Sequence, residues 1–255
     1  MWKETERIGT GTMNGRKRRN FTLIELMAVM LLMGVLMLMM LPAFNRMIRG
    51  NKVDQMTSNL KLGLEQAQSR AATTRKYVAV VFPNNVATWN DDVTKRFCYG
   101  GYRLAYVDPT AAASEWTFLG WVPQSEWKNA PDGAMLIYAD STAPAVGSGG
   151  GLTDALASMT GTSGEFGAGL HSLVVPATAK EMPTGTLAKC AVIFTPYGGL
   201  KNSSLFFAVA EALPAPSSSI VYPVRESGAA VDKKPTNFLQ LKINQFTGNV
   251  EYITI

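Results

Sequence analysis

A single histidine, His171, and two cysteines, Cys98 and Cys190, are all that 255 residues offer of the side chains most used for metal ligation and nucleophilic catalysis. Two cysteines are too few for a disulfide scaffold, and they lack the close spacing of a zinc site. Export of the chain would leave the pairing of Cys98 with Cys190 open. His171 stands between a glycine-rich stretch and the apolar run Leu173, Val174, Val175, the setting of a structural histidine at a strand entry. No nucleophile, base and orienting acid occur at a recognisable spacing, so no catalytic, cofactor or metal site is expected. The glycine-rich stretch is not a phosphate cradle either. Gly147, Gly149, Gly150 and Gly151 are followed by Leu152 where G-x-G-x-x-G needs its third glycine, and no P-loop Lys-Ser/Thr pair follows. Residues 140–170 read as a surface insertion with one short helix at 152–159.

Basic charge is also scarce where the total of +5 suggests it. Residues 1–20 hold six bases and two acids, a net +4, which leaves 18 bases against 17 acids from Phe21 onward. The body therefore gives no electrostatic case for nucleic acid.

Charge is scarcest of all from Phe21 to Leu41, where 21 residues contain only Glu25. At about 1.5 Å per residue such a helix spans roughly 30 Å, the thickness of bilayer hydrocarbon. Four bases, Arg16 to Arg19, precede it, while Arg46, Arg49 and Lys52 follow more diffusely. The positive-inside bias puts the N-terminus in the cytoplasm and the body outside it. An ordinary cleaved signal, with "LPAF" as its processing site, is disfavoured by the length of the apolar run and by the acid. A plain anchor leaves Glu25 unexplained, since a carboxylate in hydrocarbon is costly.

The string "RNFTLIELMAVMLLMGVL" resembles the N-terminus of type IV pilins and type II secretion pseudopilins. The resemblance implies a leader, 1–20, cut by prepilin peptidase between Asn20 and Phe21, with N-methylation of Phe21. Asn20 stands where the family normally has glycine. Glu25 is then fifth from the cut, where it would offset the new ammonium group and set register in filament assembly. Pro42 occupies the place of a proline found in many pilins and marks a helix kink or melted turn. Met13 offers an alternative start, giving the eight-residue leader "MNGRKRRN". The implied partners are other pilin or pseudopilin subunits, the peptidase, an inner-membrane assembly platform and, before assembly, membrane lipid. The implied location is the bacterial inner membrane, single-pass, with a periplasmic head.

Beyond Pro42, the residues Val53, Met56, Leu60, Leu64, Ala67 and Ala71 recur at steps of three and four, one face of a helix. The amphipathic half, 42–76, should stay helical to about Thr74 and needs a cover. From Tyr77 short β-prone runs alternate with Gly, Pro, Asn and Asp, including the turn signals "APDGA" and "QFTGNV". The expected fold is α+β and pilin-like: a long N-terminal helix packed on an antiparallel β-rich head over 77–255. Trp116, Phe118, Trp121 and Trp127 read as core or sheet-face aromatics. "SRAATTRKYVAVVF", "VIFTPYGG" and "TGNVEYITI" are similar to segments of H-type minor pseudopilins. That similarity implies a structural subunit of a periplasmic pseudopilus. The alternative is a filament-tip pilin that binds DNA or a surface, for which Arg103, Lys189 and Lys201 are the candidate patch.

Overall fold

The computed structural model describes residues 22–85, 88–89, 97–112, 115–144, 166–167, 169–201, 203–214, 221–223 and 237–253. The side chains of 41–50, 213–214 and 221–223 fall outside that description, as does the segment 152–159 for which a short helix is expected. The chain forms two compact units, Met1–Asn45 and Arg46–Ile255.

One helix, α1 (Leu23–Thr74), carries residues of both units. In the first unit every side chain from Thr22 to Met40 is exposed. Leu23–Met40 is long and apolar enough to cross a membrane. The backbone stays helical through 42–50, so no turn is melted there, although Pro42 lacks the N–H that an interior helical position would use. In the second unit the expected stripe is buried in full: Val53, Met56, Leu60, Leu64, Ala67 and Ala71. Thr57 joins them, its hydroxyl donating to Val53 O at 2.7 Å. The helix ends where Thr73 and Thr74 turn their hydroxyls back onto Ser69 O and Arg70 O, both at 2.7 Å. Arg75 then leaves it in the left-handed region at φ 52°.

Among the described residues the head holds eleven strands: β1 (Val78–Val81), β2 (Gly101–Pro109), β3 (Glu115–Trp121), β4 (Lys128–Asn129), β5 (Ala134–Asp140), β6 (His171–Val175), β7 (Gly185–Phe194), β8 (Leu205–Pro214), β9 (Val221–Pro223), β10 (Phe238–Ile243) and β11 (Val250–Ile253). The first sheet runs β1-β7-β6-β3-β2-β4, and β1 also pairs with β2. The pairings β1–β2, β2–β3, β3–β6, β6–β7 and β7–β1 thus close into a ring of five strands. β1 is paired along both edges and all four of its residues are fully buried, which explains its unbroken apolar run, Val-Ala-Val-Val.

One pair departs from the expected antiparallel arrangement: β3 and β6 run parallel, with Glu115, Trp116 and Thr117 opposite Ser172, Leu173 and Val174. A parallel pair needs a long crossover, and the chain between β3 and β6 supplies one. That crossover contains the expected surface insertion, and its far end is not surface. Phe166 and Leu170 are buried, and the Phe166 ring meets Phe82 and Tyr99 edge-on at 6.2 Å each.

The second sheet runs β11-β10-β8-β5, with β9 on the end of β8. Its cross-strand pairs Leu241–Phe207 and Ile243–Leu205 point apolar side chains into the same core as the helical stripe. Both turn signals hold: Gly133, between β4 and β5, takes φ 90°, and Gly248, between β10 and β11, takes φ 67°.

Candidate functional site

The start of α1 is built from four consecutive residues, Thr22-Leu23-Ile24-Glu25. A helix leaves its first N–H groups without partners inside the helix, and in a bilayer water cannot supply them. Here Thr22 is the capping residue, and its Oγ1 accepts the Glu25 N–H at 3.3 Å. The Glu25 carboxylate reaches back in turn, accepting the Thr22 N–H at 2.9 Å and the Thr22 hydroxyl at 3.0 Å. This reciprocal pair is a capping box. Glu25 is therefore already engaged within its own chain, at Thr22, and its negative charge also complements the positive end of the helix dipole. The sequence reading found Glu25 and missed Thr22, although T-x-x-E ahead of an apolar run is the signature of this cap. Asn20 and Phe21 lie outside the described residues.

The other candidates are spread through the head. His171 opens β6, and its Nδ1 accepts the Trp116 indole N–H at 3.1 Å, with the two rings edge-on. That is a core role, binding β6 to β3. Cys98 and Cys190 are both buried, and burial pushes the Cys190 thiol up to about 12. Arg103 lies over the Trp121 ring, 4.3 Å from its centroid, donates to Ser125 O at 2.9 Å and pairs with Glu181. Its charge is committed to that carboxylate, which weakens the patch considered with Lys189 and Lys201. Trp116 and Phe118 are buried, while Trp121 and Trp127 are half-buried and belong to one aromatic chain with Phe97 and Trp89.

An open groove of about 550 Å³ lies in the second unit between Gln66, Ser69, Arg70 and Thr73 of α1 and the segment 122–128. Its lining mixes Arg70 and Lys128 with Glu126 and neutral amides, a solvated surface without a catalytic grouping. No group of three or more His, Cys, Asp or Glu that could hold a metal ion occurs among the described residues.

A basic N-terminal sequence, a reciprocal Thr22–Glu25 cap and an apolar span thus follow one another on one short stretch of chain. Comparison with curated proteins and with solved structures gives no significant match. Residues 15–41 match the prokaryotic N-terminal methylation motif, which marks a prepilin peptidase substrate of the type IV pilin kind, made for assembly into pilin-type filaments.

Proposed function

We propose that the chain is a structural subunit of a short periplasmic filament, a minor pseudopilin of a type II secretion system or a related pilus machine. The observation that carries this reading is the methylation motif over residues 15–41, seated on an apolar helix whose first turn contains Glu25. The H-type resemblance of the head's closing segments supports the minor pseudopilin assignment. In this reading the subunit waits in the inner membrane with its N-terminus cytoplasmic and its head periplasmic. Prepilin peptidase cuts between Asn20 and Phe21, and Phe21 is then N-methylated.

The cut leaves an ammonium group at Phe21, one residue before the cap. In a low-dielectric setting that charge needs a carboxylate, and Glu25, held at Thr22, is the nearest one in its own chain. As apolar helices leave the bilayer and bundle, the Glu25 of one subunit can serve the ammonium of another only at one axial offset. The acid thereby selects register, as buried polar residues do in coiled coils. Pro42, which removes one helical hydrogen bond, is the place where the helix yields during that transfer.

Mass analysis of the N-terminus of the membrane-bound and assembled protein tests the reading. N-methyl-Phe21 is the expected result, and an intact leader in an assembled filament overturns it. Glu25→Gln keeps an acceptor for Thr22 and removes the charge, so it should be processed and inserted yet fail to assemble. Assembly at the wild-type level would dismiss the register role.

A further inference from the structure

Two turns of the head present aromatic side chains that no described residue covers. Tyr197, in the turn after β7, is 95% exposed, and Phe246, in the turn between β10 and β11, is 84% exposed. Loop tips are usually mobile and polar. These are neither.

The first turn is closed by Thr195 N–H donating to Gly199 O at 2.8 Å and Gly198 N–H donating to Thr195 O at 2.9 Å. The second is wrapped around Asn244, whose Oδ1 accepts from Phe246 N–H at 2.9 Å and Thr247 N–H at 3.2 Å, while its own backbone oxygen accepts from Gly248 N–H at 2.8 Å. The turns are also joined to each other, because Leu200 N–H donates to Gln245 O at 2.8 Å. A Cβ on Gly199 would stand 2.8 Å from Phe246 O, and one on Gly248 would stand 2.1 Å from Gly198 O, so the backbones touch where only glycine fits. Gln68 of α1 clamps the pair by donating its amide to Thr247 O at 2.5 Å.

The result is a rigid platform, fastened to α1, that displays a tyrosine and a phenylalanine. Rigid aromatics lose little conformational freedom on binding and dominate the buried centres of protein interfaces. The segments that build the platform, 194–201 and 244–251, carry one base and one acid, Lys201 and Glu251. That balance offers nothing to a phosphate backbone and lacks the basic flank that holds a peripheral surface on anionic lipid.

We infer that the Tyr197–Phe246 platform docks on the head of a neighbouring pilin-like subunit; the inference rests on the filament assembly proposed above. Assembly into a pilin-type filament supplies that partner, and Gln68 holds the platform on the half of α1 that belongs to the head.

The test uses the full-length chain in its native host. A photo-cross-linking amino acid is placed at Tyr197, at Phe246 and, as a control, at the exposed Leu119 of β3. Cross-links from 197 and 246, but not from 119, should lead to a second protein whose own N-terminus carries the leader, Phe and Glu pattern. The variant Tyr197→Ser/Phe246→Ser should keep its thermal midpoint and its cut at Phe21. Its share of the sheared filament fraction should fall by about tenfold, the loss expected when two interface anchors are removed. Undiminished incorporation of the double variant, or cross-links to lipid alone, overturns the docking surface and leaves the assembly reading standing. If the wild-type chain is neither cut at Phe21 nor found in filaments, the assembly reading fails and the inference loses its partner with it.

Discussion

Leu31 and Leu64 are the same side chain in the same helix, yet Leu31 is 71% exposed and Leu64 is fully buried. The first half of α1 is apolar all round, and the second is apolar along one stripe. A helix that is apolar on every side finds its complement in lipid or in other apolar helices, whereas a stripe finds it in one covering surface. Folding of the head thus uses up the second half and leaves the first exposed.

The comparison is sharpened most by making one substitution in both halves. Leu64→Ala should lower the stability of the head by about 2–5 kcal/mol, and Leu31→Ala should leave it within about 0.5 kcal/mol. Urea unfolding of the full-length protein in detergent, followed by tryptophan fluorescence, reads both, and equal losses would erase the distinction.

Glycine gives a second pair of this kind. A Cβ on Gly63 would lie 2.3 Å from the Tyr102 ring, and one on Gly34 meets nothing within 4 Å. Gly63→Ala should therefore cost about 1–3 kcal/mol through overpacking. Gly34→Ala should leave head stability unchanged and raise helix content slightly, by about 1 kcal/mol of propensity. Thermal melts and far-ultraviolet dichroism separate the two effects.

Alkali should act on the head alone. Burial pushes the Tyr102 hydroxyl up to about 12, and it donates to Asn59 O at 2.5 Å. The folded value lies above the unfolded value of 10.0, so its stabilising contribution is complete below about pH 10 and is lost as pH rises toward about 12. The slope should not exceed about 1.4 kcal/mol per pH unit for this one proton. Burial raises Tyr99 in the same direction, so Tyr102→Phe should make the alkaline loss shallower without abolishing it. An unchanged slope in that variant would clear Tyr102 of the effect.

The smallest effect is expected at the cap. Thr22→Ala removes the Thr22 hydroxyl bonds to Glu25 and should loosen the first turn of α1 by about 1 kcal/mol. Hydrogen exchange at residues 22–26 should rise while the melting of the head stays put. A shift in head melting would show that the two halves are coupled.

The helical stripe and most of the strands were legible because burial on one face imposes a period that one chain displays by itself. Val53 to Ala71 announce a helix at steps of three and four, and "YVAVVF" announces a strand. β4 escaped because two exposed residues, Lys128 and Asn129, carry no periodic signal. The parallel β3–β6 pair and the burial of Phe166 depend on where a long crossover returns, and no local pattern encodes that. At the N-terminus the charge of Glu25 was conspicuous against an apolar background, whereas the Thr22 hydroxyl, common and uncharged, was easily passed over. Tyr197 and Phe246 were hidden for the opposite reason: aromatics near turns look like core, and their exposure emerges only once the glycine-packed turns are in place.

The five-strand ring of the head also governs what crowded copies can do to one another. A sheet edge is an open row of backbone donors and acceptors on which a second chain can grow as an added strand. β1, β3, β6 and β7 each have a partner on both sides within the ring, so they present no such row. Heads lined up side by side at high local concentration are denied the commonest route to irreversible fusion along that flank. Along that flank, contacts between copies are left to side chains, which can be undone.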